Sequence, residues 1–238
     1  MKASTDTRIG LRPGETLDEF MEGRLRLIQS RRGYRFSSDA VLLARFVSTR
    51  AGDLVVDLGT GCGIIPLVLL LTRPIRHALG LEIQPELAGQ AFRNARLNGL
   101  SHKMTVIRGD LRYPPIVPFS ADVVVCNPPY RPKTTGRVSP DLERAIARHE
   151  IFASLDDILD AARKLLKAGG RLAVIYAAVR LVDLLIRMRG FGLEPKRVMH
   201  IHPRPESDAK LVLVEATSGG RRGVKILPPL TEQGRTSF

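Results

Sequence analysis

From residue 53 onward, short apolar runs alternate with amphipathic stretches, and this alternation constrains the possible folds more than any other feature of the chain. It is typical of βαβ units, which place successive strands parallel to one another in a single sheet. The apolar runs predict seven strands, at residues 53–58, 77–82, 103–108, 121–126, 171–177, 196–202 and 210–216. The amphipathic stretches predict helices at residues 64–72, 84–98, 151–167 and 180–189.

The predicted fold is therefore α/β, a Rossmann-like doubly wound sheet of seven mostly parallel strands with helices on both faces. Only the turn-rich segment 203–208 separates the last two strands, so they are expected to pair antiparallel as a C-terminal hairpin. A length of 238 residues suits one such domain, which we place at residues 23–216.

The segments that flank this pattern have their own signals. Residues 1–22 have no usable periodicity, and we expect a flexible leader there. Residues 23–36 alternate leucines with polar residues before a Ser-Arg-Arg-Gly turn, which predicts a basic hairpin. Serine and aspartate side chains then offer N-cap chemistry for an apolar helix over residues 37–50. Residues 217–238 are rich in Gly, Pro and Arg and are expected to form a basic tail.

The charge balance favours a polyanionic partner and excludes several other classes. With 37 basic and 24 acidic residues, the net charge is +13, which attracts nucleic acid at long range. The apolar run at residues 64–71 is too short to cross a bilayer, and the N-terminus lacks the apolar core of a signal peptide. Cys62 and Cys126 lack metal-type or disulfide spacing, so we expect a cytoplasmic protein with reduced thiols and no metal.

A glycine-rich loop joins the first strand of the alternating region to the following helix. It reads Asp57-Leu58-Gly59-Thr60-Gly61-Cys62-Gly63, and its alternate glycines let a ligand approach the backbone closely. A nicotinamide-dinucleotide fingerprint requires glycine at position 64, where this chain has Ile64. The spacing therefore favours a different nucleoside cofactor.

Two further carboxylates follow the next strands, where the crevice of a doubly wound sheet forms. Glu82 ends the second predicted strand and is suited to accept both hydroxyls of a ribose. Asp110 follows the third strand and can accept the exocyclic amine of an adenine, with Leu111 offering apolar contact to the ring. Together with the glycine loop, these residues predict a site for an adenosine-containing cofactor.

The sequence Asn127-Pro128-Pro129-Tyr130 follows the fourth strand and carries the most specific chemistry. The two prolines stiffen the backbone and remove two amide donors. The Asn127 side-chain oxygen and the Pro128 carbonyl can then accept both hydrogens of a flat amine, while Tyr130 offers a ring for stacking. An aromatic amine is a weak nucleophile, and two oriented acceptors stabilise the positive charge that grows on its nitrogen when it attacks an electrophile.

These motifs together resemble the class I S-adenosylmethionine-dependent methyltransferases that carry an Asn-Pro-Pro-Tyr element. Within that class, GRLRLIQSRRGYRFSSDAVLLARF, VVDLGTGCGIIPL, LEIQPELA, VVVCNPPY, AIARHE and LEPKRVMHIHP look like the bacterial tRNA1(Val) adenine N6-methyltransferase family. The resemblance covers about residues 23–216. It implies S-adenosyl-L-methionine as the cofactor and an adenosine on the 3′ side of a tRNA anticodon as the substrate.

The resemblance and the motifs together define the expected site. The expected catalytic residues are Asn127, Pro128, Pro129 and Tyr130. The expected cofactor-binding residues are Phe36, Ser38, Asp39, Asp57, Gly59, Thr60, Gly61, Gly63, Glu82, Ile83, Asp110, Leu111 and Asn127. Residues 131–149 carry five basic residues against two acidic ones and suggest a substrate loop. The expected nucleic-acid-binding residues are Arg31, Arg32, Arg35, Arg131, Lys133 and Arg137.

Three other functions remain open at this point. A glutamine amide in a protein offers a similar NH2 group, although the enzymes of that kind carry a helical recognition domain before the glycine loop. Methylation of the guanine N2 amine in RNA would use similar chemistry, although those enzymes often contain a duplicated domain. A non-catalytic module that binds S-adenosylmethionine and RNA is the alternative outside the enzymes, and the intact Asn-Pro-Pro-Tyr element argues against it.

Overall fold

The computed structural model describes residues 10–32, 35–36, 38–128 and 153–231. The strands are β1 (Glu15–Phe20), β2 (Leu25–Ser30), β3 (Leu54–Leu58), β4 (His77–Glu82), β5 (Met104–Arg108), β6 (Ala121–Cys126), β7 (Leu166–Ala177), β8 (Leu193–His202), β9 (Leu211–Ser218), β10 (Lys225–Ile226) and β11 (Leu230–Thr231). The helices are α1 (Ser38–Phe46), α2 (Ile64–Thr72), α3 (Pro85–Leu97), α4 (Leu155–Leu165) and α5 (Leu181–Gly190), with a short 3₁₀ turn at Ala178–Arg180.

The main sheet confirms the predicted fold class. Its order is β8-β9-β7-β6-β3-β4-β5, and the strands from β7 to β5 pair parallel. β9 lies antiparallel between β7 and β8, which confirms the expected C-terminal hairpin. Strand order reverses between β3 and β6, and a crevice forms at the carboxyl ends of strands at such a point.

Helices cover both faces of the sheet, as predicted. α1, α2 and α3 pack on one face, where apolar side chains such as Leu43, Leu67 and Ala91 are buried against Val55 and Val123. α4 and α5 pack on the other face, where Leu159 and Leu184 meet the opposite side of the same strands. Because side chains alternate along a strand, the central strands are buried on both faces and read as continuous apolar runs.

Two predicted helices are shorter in the structure, for identifiable reasons. α1 ends at Phe46 and not at residue 50, and the Glu215 carboxylate then accepts the backbone N–H of Ser48 at 2.7 Å. α4 begins at Leu155 because Ser154 and Asp157 form a capping box, in which each side chain accepts a hydrogen bond from the other residue's backbone N–H.

The N-terminal hairpin differs from the predicted one. β2 pairs antiparallel with β1, from Glu15 opposite Ser30 to Phe20 opposite Leu25, so residues 15–30 form the hairpin and its turn lies at residues 21–24. The predicted hairpin over residues 23–36 was therefore wrong, as was the flexible leader as far as residues 15–20 are concerned. Apolar and polar residues alternate only weakly along β1, because this strand is half exposed and rich in acidic residues. Its contact with the rest of the fold includes the ion pair of Glu15 with Arg93 of α3.

The segment after β9 also contains strands that the sequence did not predict. β9 continues to Ser218, and both β10 and β11 pair parallel with the outer edge of β8. Two prolines at residues 228 and 229 lie between these short strands, where the ladder needs no amide donor. The segment expected as a basic tail therefore contains short strands at residues 225–226 and 230–231, because the edge of β8 offers backbone groups to pair with.

The Glu15–Arg93 ion pair gives a test of the hairpin. The Glu15 carboxylate also accepts the Arg12 N–H at 2.8 Å, and its hydrogen bond with Arg93 lowers the pKa of Glu15. Glu15→Gln should lower the free energy of unfolding by about 2 kcal/mol at pH 7, because the partly buried Arg93 loses its counter-charge. In the wild type, this contribution should disappear as the pH falls through the lowered pKa of Glu15.

Urea denaturation at pH 7 measures the change, with Asp160→Asn as the matched control. Asp160 forms an exposed pair with Lys164, and its loss should change stability by less than about 0.5 kcal/mol. Equal effects of the two substitutions would contradict the structural role given to β1.

Candidate active site

The glycine loop leaves β3 along a left-handed backbone path that suits glycine. Gly59, Gly61 and Gly63 all have positive φ, at 74°, 57° and 87°. A Cβ atom at Gly63 would also lie 2.9 Å from the Met104 methyl group and 3.2 Å from the Ala91 methyl group, so these neighbours would have to shift to admit it. A Cβ atom at Gly59 would meet nothing within 4 Å, which leaves open space beside the loop backbone.

Asp57 lies buried beneath this loop, 1% exposed, near the carboxyl end of β3. Its Oδ2 accepts the Thr60 hydroxyl at 2.7 Å, while its Oδ1 is buried and has no hydrogen-bond partner among the described residues. Burial raises the pKa of Asp57 to about 7, aided by the nearby Glu82 carboxylate and opposed by the Thr60 hydrogen bond. An unpartnered acceptor in this position is suited to a polar group of a ligand.

Glu82 is the last residue of β4, the strand next to β3, and it binds the glycine loop. Its Oε2 accepts the Gly61 N–H and its Oε1 accepts the Gln84 N–H, both at 2.9 Å. Ile83, half-buried, follows it directly. The carboxylate thus stands at the same sheet edge as Asp57, with the glycine loop held against it.

Asp110 and Leu111 follow β5, the next strand of the same edge. The Arg112 side chain holds the Asp110 carboxylate through both oxygens, with Nε at 2.9 Å and 3.1 Å, and this contact lowers the pKa of Asp110. Leu111 is half-buried and packs against the core on the α4–α5 face of the sheet. Asp57, Glu82 and Asp110 therefore follow the order β3-β4-β5, as predicted.

Phe36, which lies shortly before α1, is held by the N-terminal hairpin. The Phe36 N–H donates to the Gln29 side-chain oxygen at 3.2 Å, and the Phe36 ring meets that of Phe20 edge to face at 4.9 Å. Ser38 and Asp39 are half-buried in the first turn of α1. The hairpin therefore fixes the segment that leads into α1.

Asn127 and Pro128 follow β6 directly. Asn127 is half-buried and Pro128 is buried. The register pairs Leu58 of β3 with Cys126 of β6, so Gly59 and Asn127 are each the next residue after paired strand ends. Pro129 and Tyr130 lie outside the described residues, as do the predicted RNA contacts Arg131, Lys133 and Arg137 and the whole of the predicted substrate loop.

The three arginines predicted in the hairpin differ in their surroundings. Arg31 and Arg32 are exposed, and Arg31 Nε donates to the Glu15 carbonyl at 3.3 Å. Arg35 instead pairs with Asp18 at 2.7 Å and donates to the Thr16 hydroxyl at 3.0 Å. The Arg35 guanidinium thus takes part in holding the segment that precedes α1.

Sequence reasoning missed two residues that shape this site. Gly80 of β4 lies opposite Asp57, and a Cβ atom there would come within 2.8 Å of the Thr60 side chain. A glycine inside an apolar strand signals such a close approach and could have revealed it. Gln29 is 2% exposed and bridges Phe36 to the Asp18 carboxylate at 2.8 Å, and no sequence signal marks that role.

Other chemistries find little support among the described residues. No group of three or more His, Cys, Asp or Glu side chains there could hold a metal ion. Burial raises the pKa of the Cys62 thiol to about 12 and that of Cys126 well above its usual value, so both stay protonated. Within the same part of the chain, no helix is long and apolar enough to span a membrane.

The residues at the carboxyl ends of β3, β4 and β5 fit the chemical groups of S-adenosylmethionine. The unpartnered Oδ1 of Asp57 is an acceptor for a cationic or amine group, and the open space beside Gly59 admits a ligand close to the backbone. Carboxylates at the ends of β4 and β5 can accept hydroxyl and amine hydrogens of an adenosine. Fold and site together define a class I S-adenosylmethionine-dependent methyltransferase.

Comparison with known proteins identifies the family to which the chain belongs. Residues 35–187 match the family described as "Methyltransferase small domain", and the chain belongs to this family. This confirms the expected cofactor, enzyme class and resemblance. It is also 30% identical over 185 residues to the tRNA1(Val) (adenine(37)-N6)-methyltransferase of Parabacteroides distasonis, which covers 77% of each chain.

A second relative and a solved structure agree with this placement. The protein of the same name from Porphyromonas gingivalis is 30% identical over 206 residues, covering 83% of this chain and 80% of its own. A crystal structure of a predicted O-methyltransferase from Agrobacterium tumefaciens superposes with a TM-score of 0.65 over 81% of this chain and 86% of that one. Its 23% identity supports the fold.

The raised pKa of Asp57 predicts an unusual dependence of stability on pH. Unfolded, Asp57 ionises with its ordinary pKa of 3.8, whereas the folded chain keeps the proton up to about 7. Between these values the folded state binds more protons, so this contribution to stability falls as pH rises. Asp57→Asn should therefore raise the free energy of unfolding by up to about 4 kcal/mol at pH 8 but not at pH 4, because about three pKa units separate the two states, while weakening cofactor binding more than about tenfold.

Chemical denaturation at both pH values and calorimetric titration with the cofactor measure these changes. Asp53 provides the contrast, because it is also buried beside β3 but accepts hydrogen bonds from Arg171 at 2.5 Å and from the Arg50 N–H at 2.7 Å. Asp53→Asn should destabilise the chain at pH 8. A loss of stability in Asp57→Asn at pH 8 would refute the assignment of an unpaired buried carboxyl.

Proposed function

We propose that this methyltransferase transfers a methyl group to the exocyclic N6 amine of adenine in RNA, with tRNA near the anticodon as its substrate. The observation that carries the proposal is the position of Asn127-Pro128. They leave β6 beside the point where the glycine loop leaves β3, in a register that pairs Leu58 with Cys126. The amine-binding acceptors would thus stand next to the cofactor.

The chain's own groups account for the chemistry of such a transfer. S-adenosylmethionine supplies the electrophilic methyl group when bound. The Asn127 side-chain oxygen and the Pro128 carbonyl accept the two amine hydrogens, which orients the nitrogen lone pair and stabilises its developing positive charge. Tyr130 stacks on the base. The N–CH3 bond would form as the S–CH3 bond breaks, S-adenosylhomocysteine would leave, and the acidic methylated amine would release one proton to water. The reaction therefore needs no strong base within the site.

The proposed cofactor contacts follow from the strand ends. Asp57, Glu82 and Asp110 supply acceptors at the ends of three adjacent strands, and the loop glycines admit the cofactor to the backbone. Phe36, whose N–H is bound by Gln29, and the first turn of α1 lie over the methionine part in this proposal. Thr60 acts through Asp57, because its hydroxyl fixes the orientation of that carboxyl group.

RNA as the substrate is supported by charge and by the relatives. The net charge of +13 supplies a field that concentrates a polyanion at the surface. The exposed Arg31 and Arg32 lie at the end of β2, close in sequence to Phe36. The relatives from Parabacteroides and Porphyromonas are named for methylation of a tRNA adenine. Such a base must be unstacked to reach a site of this kind, which favours a loop nucleotide.

Incubation of the wild type with labelled S-adenosylmethionine tests the substrate directly. Separate reactions with total tRNA, total rRNA and release factors, followed by nucleoside mass spectrometry, should yield N6-methyladenosine in the tRNA fraction alone. Label in protein would establish the glutamine-amide alternative, and N2-methylguanosine the guanine alternative. Because phosphates contribute to binding, log KM for tRNA should rise with log salt concentration, with a slope of about 0.7 for each phosphate contact. A KM that does not change with salt would contradict an RNA substrate.

Substitution of Asn127 tests the catalytic element. Asn127→Ala should lower kcat by at least about a hundredfold, because the amine loses an oriented acceptor. Cofactor affinity, measured by titration calorimetry, should change by less than about threefold. Asn127→Asp keeps an oxygen acceptor in place and should retain more activity than Asn127→Ala. Wild-type turnover in Asn127→Ala would refute the assigned role.

A further inference from the structure

Asn94 of α3 and Asn98, the C-cap residue of that helix, bind the backbone of β2 in the way a neighbouring strand would. The Asn94 side-chain oxygen accepts the Ile28 N–H at 2.7 Å, and its NH2 group donates to the Ile28 carbonyl at 3.1 Å. Asn98 does the same with Arg26, at 2.9 Å and 2.7 Å. Each amide therefore satisfies both backbone groups of one strand residue.

The spacing of the two asparagines explains why this pairing works. Residues four apart on a helix share one face and are about 6 Å apart along its axis. Residues two apart on a strand are about 6.6 Å apart. Asn94 and Asn98 therefore match Arg26 and Ile28 in register, and they dock the hairpin on α3.

Asn94 makes one contact that Asn98 lacks. Its NH2 group also donates to the Cys62 carbonyl in the glycine loop at 2.9 Å, whereas the Asn98 NH2 group donates its second bond to the Asn94 carbonyl at 2.8 Å. Asn94 is 0% exposed. One buried amide thus joins β2, α3 and the loop that leads from β3 into α2.

The loop is consequently held from two sides. Glu82 accepts the Gly61 N–H on one side, and Asn94 binds the carbonyl of the next residue, Cys62, on the other. Three positive-φ glycines leave the loop few local preferences for this path. Hydrogen bonds from outside the loop must therefore fix its shape.

We infer that Asn94 is a positioning residue, which sets the glycine loop against the N-terminal hairpin and thereby preorganises the cofactor site. The hairpin carries Gln29, which binds the Phe36 backbone, so Asn94 also fixes the distance between the loop and the segment entering α1. The inference rests on the cofactor site proposed above and is independent of which amine is methylated.

Calorimetric titration of S-adenosylmethionine into Asn94→Ala and Asn98→Ala tests the inference, because the two substitutions remove the same side chain four residues apart. Both variants should unfold at a lower temperature, since each loses hairpin contacts. Asn94→Ala should raise Kd about tenfold, whereas Asn98→Ala should raise it less than about twofold. Equal Kd values in the two folded variants would overturn the inference.

A second pair of variants keeps the test decisive if Asn94→Ala does not fold. Asn94→Asp preserves shape, and its protonated carboxyl group regains one O–H donor for the Cys62 carbonyl. Its Kd, divided by that of the wild type at the same pH, should fall as pH decreases from 8 to 5, because burial keeps such a carboxyl protonated at the lower pH. Asn98→Asp should show no such trend, and the same trend in both would overturn the inference.

The binding measurements distinguish a failure of this inference from a failure of the proposed function. Cofactor binding is measured without RNA, so a wild type that binds S-adenosylmethionine but methylates no adenine would refute the substrate alone. A wild type that does not bind the cofactor would overturn the proposed site and the inference together.

Discussion

The pairing of β3 with β6 is the constraint on which the site depends. Both strands are buried, and their register places Leu58 beside Cys126, whose thiol donates to the Leu58 carbonyl at 3.2 Å. The glycine loop and Asn127 therefore leave the sheet from adjacent positions. A slip of one residue would turn every side chain of one strand to the other face, which burial on both faces opposes. The geometry of the site follows from the packing of the core.

The site carries local energetic costs. Among the described residues, Asp57 has no counter-charge and its Oδ1 has no hydrogen-bond partner, and the Glu82 carboxylate lies nearby. Three glycines with positive φ add a loop with little conformational preference of its own. These costs are tolerated because the surrounding strands and helices are tightly packed, and because a ligand can satisfy what the free chain leaves unsatisfied. Unpaired buried groups at the end of a rigid sheet are consistent with a preorganised binding site.

The sequence predicted the sheet well because strands buried on both faces read as continuous apolar runs. Strand ends were also predictable, and with them the order of Asp57, Glu82 and Asp110 along one edge. β1 was missed because a half-exposed acidic strand carries a weak period, and its partner Arg93 lies in a distant helix. Gly80, Gln29 and Asn94 act where two elements meet, so their roles depend on tertiary contacts that local patterns do not encode.

The hairpin shows why net charge alone does not define a nucleic-acid surface. Arg35 is bound by Asp18 and Thr16, and Arg93 is buried against Glu15, so these two arginines hold β1 in place. A guanidinium that already has a carboxylate partner gains less from a phosphate, because that partner must be given up or shared. Arg24, Arg26, Arg31 and Arg32 of the same hairpin are exposed, and none of them forms an ion pair with a described residue. The acidic residues of β1 thus distinguish the two arginines that hold the hairpin from the four whose charge is left to solvent.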